Sequence, residues 1–68
     1  MKNKIREYRE IHRMTQDQLA TMTDVSRQTI ISLEKFKYVA SLQLAYKLSK
    51  VFGISIEDLF CFDEEDFQ

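Results

Sequence analysis

Residues 15–35 read TQDQLATMTDVSRQTIISLEK, and this stretch decides the fold. Thr15-Gln16-Asp17-Gln18 places a hydroxyl at a helix N-cap and an amide at the third helical position, which is the reciprocal pairing of a capping box. Leu19 and Ala20 face inward, with Met22 as a further candidate, and this helix ends near Thr23. Thr23-Asp24-Val25 is a short linker. Ser26 caps a second helix, from about Arg27 to Lys35, whose inward stripe is Ile30, Leu33 and Glu34, with Val25 packing just before it.

The same signals extend outward in both directions. A helix from about Asn3 to His12 precedes the pair, with Asn3 as its candidate N-cap and Ile5, Tyr8, Arg9 and His12 on one stripe. After it, Ser41 caps a helix holding Leu42, Leu44, Ala45, Leu48, Val51 and Phe52, closed by Gly53 in the left-handed position that follows a helix. Ser55 and Asp58 start a short fifth helix with Ile56, Leu59 and Phe60 on its apolar side. Residues 61–68 are acidic with two phenylalanines and read as a short strand or a loose tail. The expected fold is all-α, a compact bundle of about five helices over residues 1–62, followed by an acidic tail at 63–68.

Two charges interrupt otherwise apolar stripes, Arg9 on the first helix and Glu34 on the third. A buried charge survives only when paired and hydrogen-bonded, so each is the natural partner of the other. The competing reading is that both side chains reach water from the stripe's edge.

With 68 residues there is room for one domain and a modest core, which dimerisation would supplement. Proline is absent and glycine occurs once, so little interrupts helices. Cys61 is the only cysteine, which excludes an internal disulfide and a multi-thiol metal site and fits the reducing cytoplasm. No apolar run reaches membrane-spanning length, and the basic segment Met1 to Arg13 lacks the uninterrupted apolar stretch of a signal peptide. The single His12 reads as a polar helix-edge residue; with no glycine-rich phosphate loop either, the sequence argues against an enzyme, a cofactor or a metal.

The net charge of −1 conceals an asymmetry. Residues 1–53 carry all ten basic side chains and five acidic ones, leaving +5, whereas residues 54–68 carry six acidic groups and no basic one. A basic body with an acidic end is either a two-faced molecule with two kinds of partner or a body with a solvated polar tail.

Two short capped helices joined by a three- or four-residue turn form the helix-turn-helix pattern. The runs Arg6-Glu7-Tyr8-Arg9-Glu10, Met14-Thr15-Gln16-Asp17-Gln18-Leu19-Ala20, Val25-Ser26-Arg27-Gln28-Thr29-Ile30 and Leu33-Glu34-Lys35 resemble the phage-repressor/Cro-like (XRE) family. So do Ser41-Leu42-Gln43-Leu44-Ala45 and residues 51–60, VFGISIEDLF, and the short stand-alone bacterial regulators look most similar. The resemblance covers about Asn3 to Phe62 and implies a cytoplasmic transcriptional repressor that binds double-stranded DNA. It implies base reading by Arg27, Gln28 and Ser32 on the outward face of the third helix. Arginine can fork onto guanine and glutamine can pair with adenine in the major groove. It implies backbone contacts from Gln16, Ser26, Thr29, Lys35, Lys37 and Tyr38, and an ion pair of the Arg9–Glu34 type. A symmetric homodimer on a palindromic operator is expected, because one short recognition helix reads only a few base pairs. Ile54, Ile56, Leu59, Phe60 and Phe62 exceed what one short helix can hide, which points to a dimer interface at Leu59, Phe60 and Phe62.

The sequence departs from the family where glycine is usual. Arg13, Asp24 and Phe36 occupy such positions, and Val39-Ala40 stands where Asn-Pro is frequent. Aspartate tolerates the left-handed region and phenylalanine does not, so a different loop path over 36–40 or a longer third helix is expected. Phe36 and Val39 either pack inward, form an interaction patch or record an alteration of a parent sequence. Antitoxins of this family bind a protein as well as DNA, which gives the acidic tail an alternative role as a protein-interaction segment.

Overall fold

The computed structural model describes residues 1–61 and consists of five helices: α1 (Ile5–Ile11), α2 (Gln16–Thr23), α3 (Arg27–Glu34), α4 (Leu42–Phe52) and α5 (Ile56–Leu59). The helix starts follow the local signals. The capping box forms in full: Thr15 Oγ1 accepts from the Gln18 amide at 3.0 Å, and Gln18 Oε1 accepts from the Thr15 amide at 2.8 Å. Ser26, Ser41 and Ser55 each accept from the amide three residues on. The first helix differs. Lys4 is its N-cap residue and offers no side-chain bond, while Asn3, one position earlier, accepts from the Ile5 amide at 3.1 Å.

The four longer helices close alike. After each, one residue turns left-handed: Arg13 (φ 56°), Asp24 (φ 58°), Phe36 (φ 63°) and Gly53 (φ 68°). The next amide reaches back to a carbonyl five residues earlier: Met14 to Arg9, Val25 to Ala20, Lys37 to Ser32 and Ile54 to Ser49, all within 2.9–3.1 Å. These are Schellman closures, and only one of the four carries the glycine that such a position favours. The expectation of a longer α3 is therefore corrected, and so is the expectation that a phenylalanine at 36 avoids the left-handed region. The closing bonds hold Phe36 left-handed, and α3 ends at Glu34. Phe36 is 46% exposed and Val39 is 63% exposed, so neither packs inward.

These closures make a stability prediction. Nothing lies within 4 Å of a methyl group placed on Gly53, so Gly53→Ala adds backbone strain without a steric clash. It should cost about 1 kcal/mol, and Arg13→Gly should gain a similar amount, both read as shifts of the urea midpoint at constant slope. An unchanged midpoint in both variants would show that strain at the left-handed positions does not exceed the opposing change in unfolded-chain entropy.

The core is built from α2, α3 and α4, with α1 and α5 laid against it. Leu19, Ile30, Leu33 and Leu48 are fully buried at its centre. Met22 is 56% exposed, and Thr23 takes the inward position instead, its hydroxyl donating to the Leu19 carbonyl at 2.8 Å. Leu42 is 79% exposed at the edge of the α4 stripe. Tyr8 and His12 lay the α1 stripe on Phe52, with ring centroids 5.9 and 5.5 Å away.

The two ends of the described chain meet. Asn3 and Phe60 form an isolated antiparallel bridge, flanked by Lys4 N–H to the Leu59 carbonyl (2.8 Å) and Cys61 N–H to the Lys2 carbonyl (2.9 Å). This contact corrects the proposed dimer face. Leu59 is fully buried and Phe60 is 4% exposed within the chain, so Leu59 has no surface to offer a second copy and Phe60 offers no more than the edge that lines a cleft beside Leu42. Phe62, the acidic tail at 63–68 and any strand within it lie outside the described residues.

Candidate nucleic-acid interface

Helix α3 is seated by one network at its C-terminal end. Arg9 Nε donates to Glu34 Oε2 at 2.7 Å, Arg9 Nη2 to Glu34 Oε1 at 3.3 Å, and Arg9 Nη1 to the Met14 carbonyl at 2.8 Å. Gln16 Nε2 donates to the same Glu34 Oε1 at 3.3 Å. A single carboxylate thus ties α1 and the first residue of α2 to the last turn of α3. The side chains of Arg9 and Glu34 are 14% and 6% exposed, which favours the paired reading over two charges reaching water from the edge. The Arg9 guanidinium is held above its usual pKa, chiefly by its hydrogen bonds to Glu34 and against the opposing effect of burial.

A second tether was not legible in the sequence. Asn3 is buried, and its Nδ2 donates to the Leu33 carbonyl at 2.8 Å across 30 residues. The only local signal was its position near a helix start. That signal accounts for its bond to Ile5 but not for its reach to α3.

With its inward face fixed by Ile30 and Leu33, α3 turns its first residues outward. Arg27 and Gln28 are exposed, and Ser32 is half-buried one turn on from Gln28, with Gln28 Nε2 at 3.5 Å from its hydroxyl. Ser26 is exposed and Thr29 half-buried, with their hydroxyls 3.0 Å apart at the helix start. Lys35, Lys37 and Tyr38 are exposed at and beyond the helix end.

Between α1, α2 and α3 lies an open cleft of about 630 Å³. Arg6, Arg27 and Lys35 bring positive charge to it, and Gln16 and Ile31 contribute to its wall. Lys37, Tyr38, Gln28 and Ser32 do not line it. Arg6 is paired with Glu10 at 3.0 Å along α1. Glu34 is turned inward to Arg9, which leaves Asp17, at 72% side-chain exposure, as the exposed carboxylate among the lining residues. Its Oδ1 lies 3.9 Å from Arg27 Nε.

Among the described residues, no group of three or more His, Cys, Asp or Glu side chains is placed to hold a metal ion. No helix there is long and apolar enough to cross a membrane. What the interface does offer is an array of amide, guanidinium, ammonium and hydroxyl groups on and around one seated helix. Guanidinium and amide groups are the ones that pair with base edges, and ammonium and hydroxyl groups are suited to phosphate oxygens.

Comparison with known proteins agrees with this chemistry. Residues 5–59 match the helix-turn-helix family. The chain is 52% identical over 66 residues to an uncharacterized HTH-type transcriptional regulator from Methanocaldococcus jannaschii, covering 97% of this chain and 100% of that protein. It is 53% identical over 66 residues to another from Archaeoglobus fulgidus, covering 97% and 94% of the two chains. A third relative, from Bacillus subtilis, is 42% identical over 66 residues, covering 97% of this chain and 100% of that protein.

Proposed function

The chain belongs to the XRE-type helix-turn-helix family of DNA-binding transcription regulators, and from that premise we propose that it is a sequence-specific repressor reading the major groove with α3. The observation that carries this reading is the contrast between the two sides of α3. Its inner side is locked by Ile30, Leu33 and the Arg9–Glu34–Gln16 network, while Arg27 and Gln28 stand exposed on its first turn. A reader of base edges needs this combination of a fixed backbone and free donor groups.

In this reading Arg27, Gln28 and Ser32 face the bases. Gln16, Ser26, Thr29, Lys35, Lys37 and Tyr38 face the phosphates and set the register. Gln16 already donates to Glu34 at 3.3 Å, which aims its remaining amide hydrogen and carbonyl. Repression follows from occupancy, which requires only DNA binding. Fluorescence anisotropy with duplex DNA tests the reading. Binding should weaken steeply with salt, and Lys37→Ala should weaken all sequences alike while lowering the salt slope by about one. Salt-independent binding, or none to any duplex, contradicts the reading.

The working unit is a symmetric dimer on a palindromic site. Because Leu59 is fully buried and Phe60 nearly so, its apolar patch is drawn from exposed residues of α4 and the loop before it. Val39 and Leu42 are 63% and 79% exposed, and Leu42 borders an apolar cleft shared with Met1, Ala40, Ala45, Ile56 and Phe60. Tyr46, one turn along α4, is 55% exposed. A second copy packed there would bury a self-complementary patch, as a two-fold interface requires. Leu42→Glu should then give a folded monomer by analytical ultracentrifugation at micromolar concentration. A wild-type monomer, or a dimer unaffected by the substitution, would refute this placement.

A further inference from the structure

We propose that Asp17 is a specificity-determining residue that aims the Arg27 guanidinium at base edges and discourages it from binding phosphate; the proposal rests on the reading of α3 as the recognition helix.

Asp17 is the second residue of α2 and Arg27 the first of α3, so the two stand on opposite sides of the turn. The side chains are 72% and 61% exposed, and both line the cleft between α1, α2 and α3. At 3.9 Å the contact is longer than a hydrogen bond. It is a Coulombic restraint on the Nε side of the guanidinium, and it consumes none of that group's five N–H donors. The two terminal nitrogens make no hydrogen bond among the described residues and remain available as a fork. That is the geometry with which arginine pairs with guanine O6 and N7.

In water such an exposed pair is weak and screened. Docking on a duplex changes this, because the interface excludes water and lowers the effective dielectric, which strengthens a charge pair at fixed distance. The same carboxylate has the opposite effect on a phosphate. An arginine without Asp17 could bind any backbone oxygen by charge alone, which carries no sequence information. With Asp17 in place, drawing a phosphate toward that guanidinium also draws it toward a carboxylate. A neutral base edge suffers no such repulsion. One residue therefore reduces the sequence-independent part of binding and preserves the sequence-dependent part.

The test compares wild type, Asp17→Asn, Asp17→Glu, Arg27→Ala and the Asp17→Asn/Arg27→Ala double variant. Each is titrated by anisotropy against the duplex preferred by wild type, against single base-pair variants of it, and against random duplex. Asp17→Asn should bind random duplex about threefold more tightly, since one repelling charge is gone. It should also lose about fivefold or more of the preference at the base pair whose preference Arg27→Ala abolishes, a fraction of what a bidentate contact supplies. Preferences at other base pairs should stay, and Asp17→Glu, which keeps the carboxylate within reach, should retain the wild-type pattern. In the Arg27→Ala background, Asp17→Asn should change no base preference.

If Asp17→Asn tightens all duplexes equally and leaves every base preference intact, Asp17 only repels phosphate and the proposal is overturned. If wild type has base preferences that Arg27→Ala leaves untouched, the assignment of Arg27 fails and the proposal with it. A wild-type chain that prefers no sequence would instead remove the reading of α3 itself, which separates that failure from the first.

Discussion

Replacing Glu34 with alanine is expected to destabilise the domain by about 3–5 kcal/mol, the usual consequence of stranding one partner of a buried ion pair. Arg9 has three hydrogen bonds, two of them to Glu34, and its side chain is only 14% exposed. It cannot escape by losing its proton, because an arginine stays charged in proteins. Gln16 would lose its partner at the same time. A domain of this size is stable by roughly 3–10 kcal/mol, so the loss is comparable with the total. Thermal unfolding followed by circular dichroism should show either a midpoint lower by tens of degrees or no cooperative transition. Replacing both charges together, as Arg9→Met with Glu34→Leu, should recover much of the loss, since an apolar pair strands nothing. A loss below about 1 kcal/mol for Glu34→Ala would mean that solvent screens the pair and that α3 is held by its apolar residues and the Asn3 bond to Leu33.

The second large effect concerns binding and should leave folding untouched. Arg27→Ala and Gln28→Ala should each weaken the preferred duplex by about 1–3 kcal/mol and relax preference at particular base pairs. Both residues are exposed, and their contacts within the chain are long, 3.9 Å from Arg27 to Asp17 and 3.5 Å from Gln28 to Ser32. Their melting curves should therefore stay within about 0.5 kcal/mol of wild type. A variant that loses binding in proportion to stability would point to a structural role for the replaced side chain.

The parts of this molecule that could be read in advance are those governed by neighbours three or four residues apart. Thr15, Ser26, Ser41 and Ser55 announce four helix starts because the hydroxyl and the amide it accepts from share one turn. The Arg9–Glu34 pair was legible for a different reason, since two charges on apolar stripes demand each other whatever the path between them. The left-handed closure at Phe36 and the long-range contacts were not legible. Phe36 looked unfit for a left-handed residue by its own preference, yet its N–H and that of Lys37 bond back to Leu33 and Ser32, and Asn3 adds a bond to Leu33 from the far end of the chain. Those bonds offset the strain, and none of them is visible from residue 36 alone. Leu59 and Phe60 looked surplus because the segment that helps cover them, around Asn3, lies almost sixty residues away in sequence. At the candidate interface, the exposure of Arg27 and Gln28 followed from the helical period. The approach of Asp17 to Arg27 depends on how the turn folds the two helices together, and spacing alone does not give it.

Selection of bound sequences from a pool of random duplexes, read by sequencing, tests the central claim most directly, namely that α3 reads base edges in the major groove. The predicted result is a short enriched motif in inverted repeat, with half-sites about 10 base pairs apart centre to centre, as two recognition helices about 34 Å apart would give. Within each half-site, the positions lost in the Arg27→Ala and Gln28→Ala selections should be distinct. A pool that emerges without enrichment, or a motif that both alanine variants select unchanged, would contradict the claim.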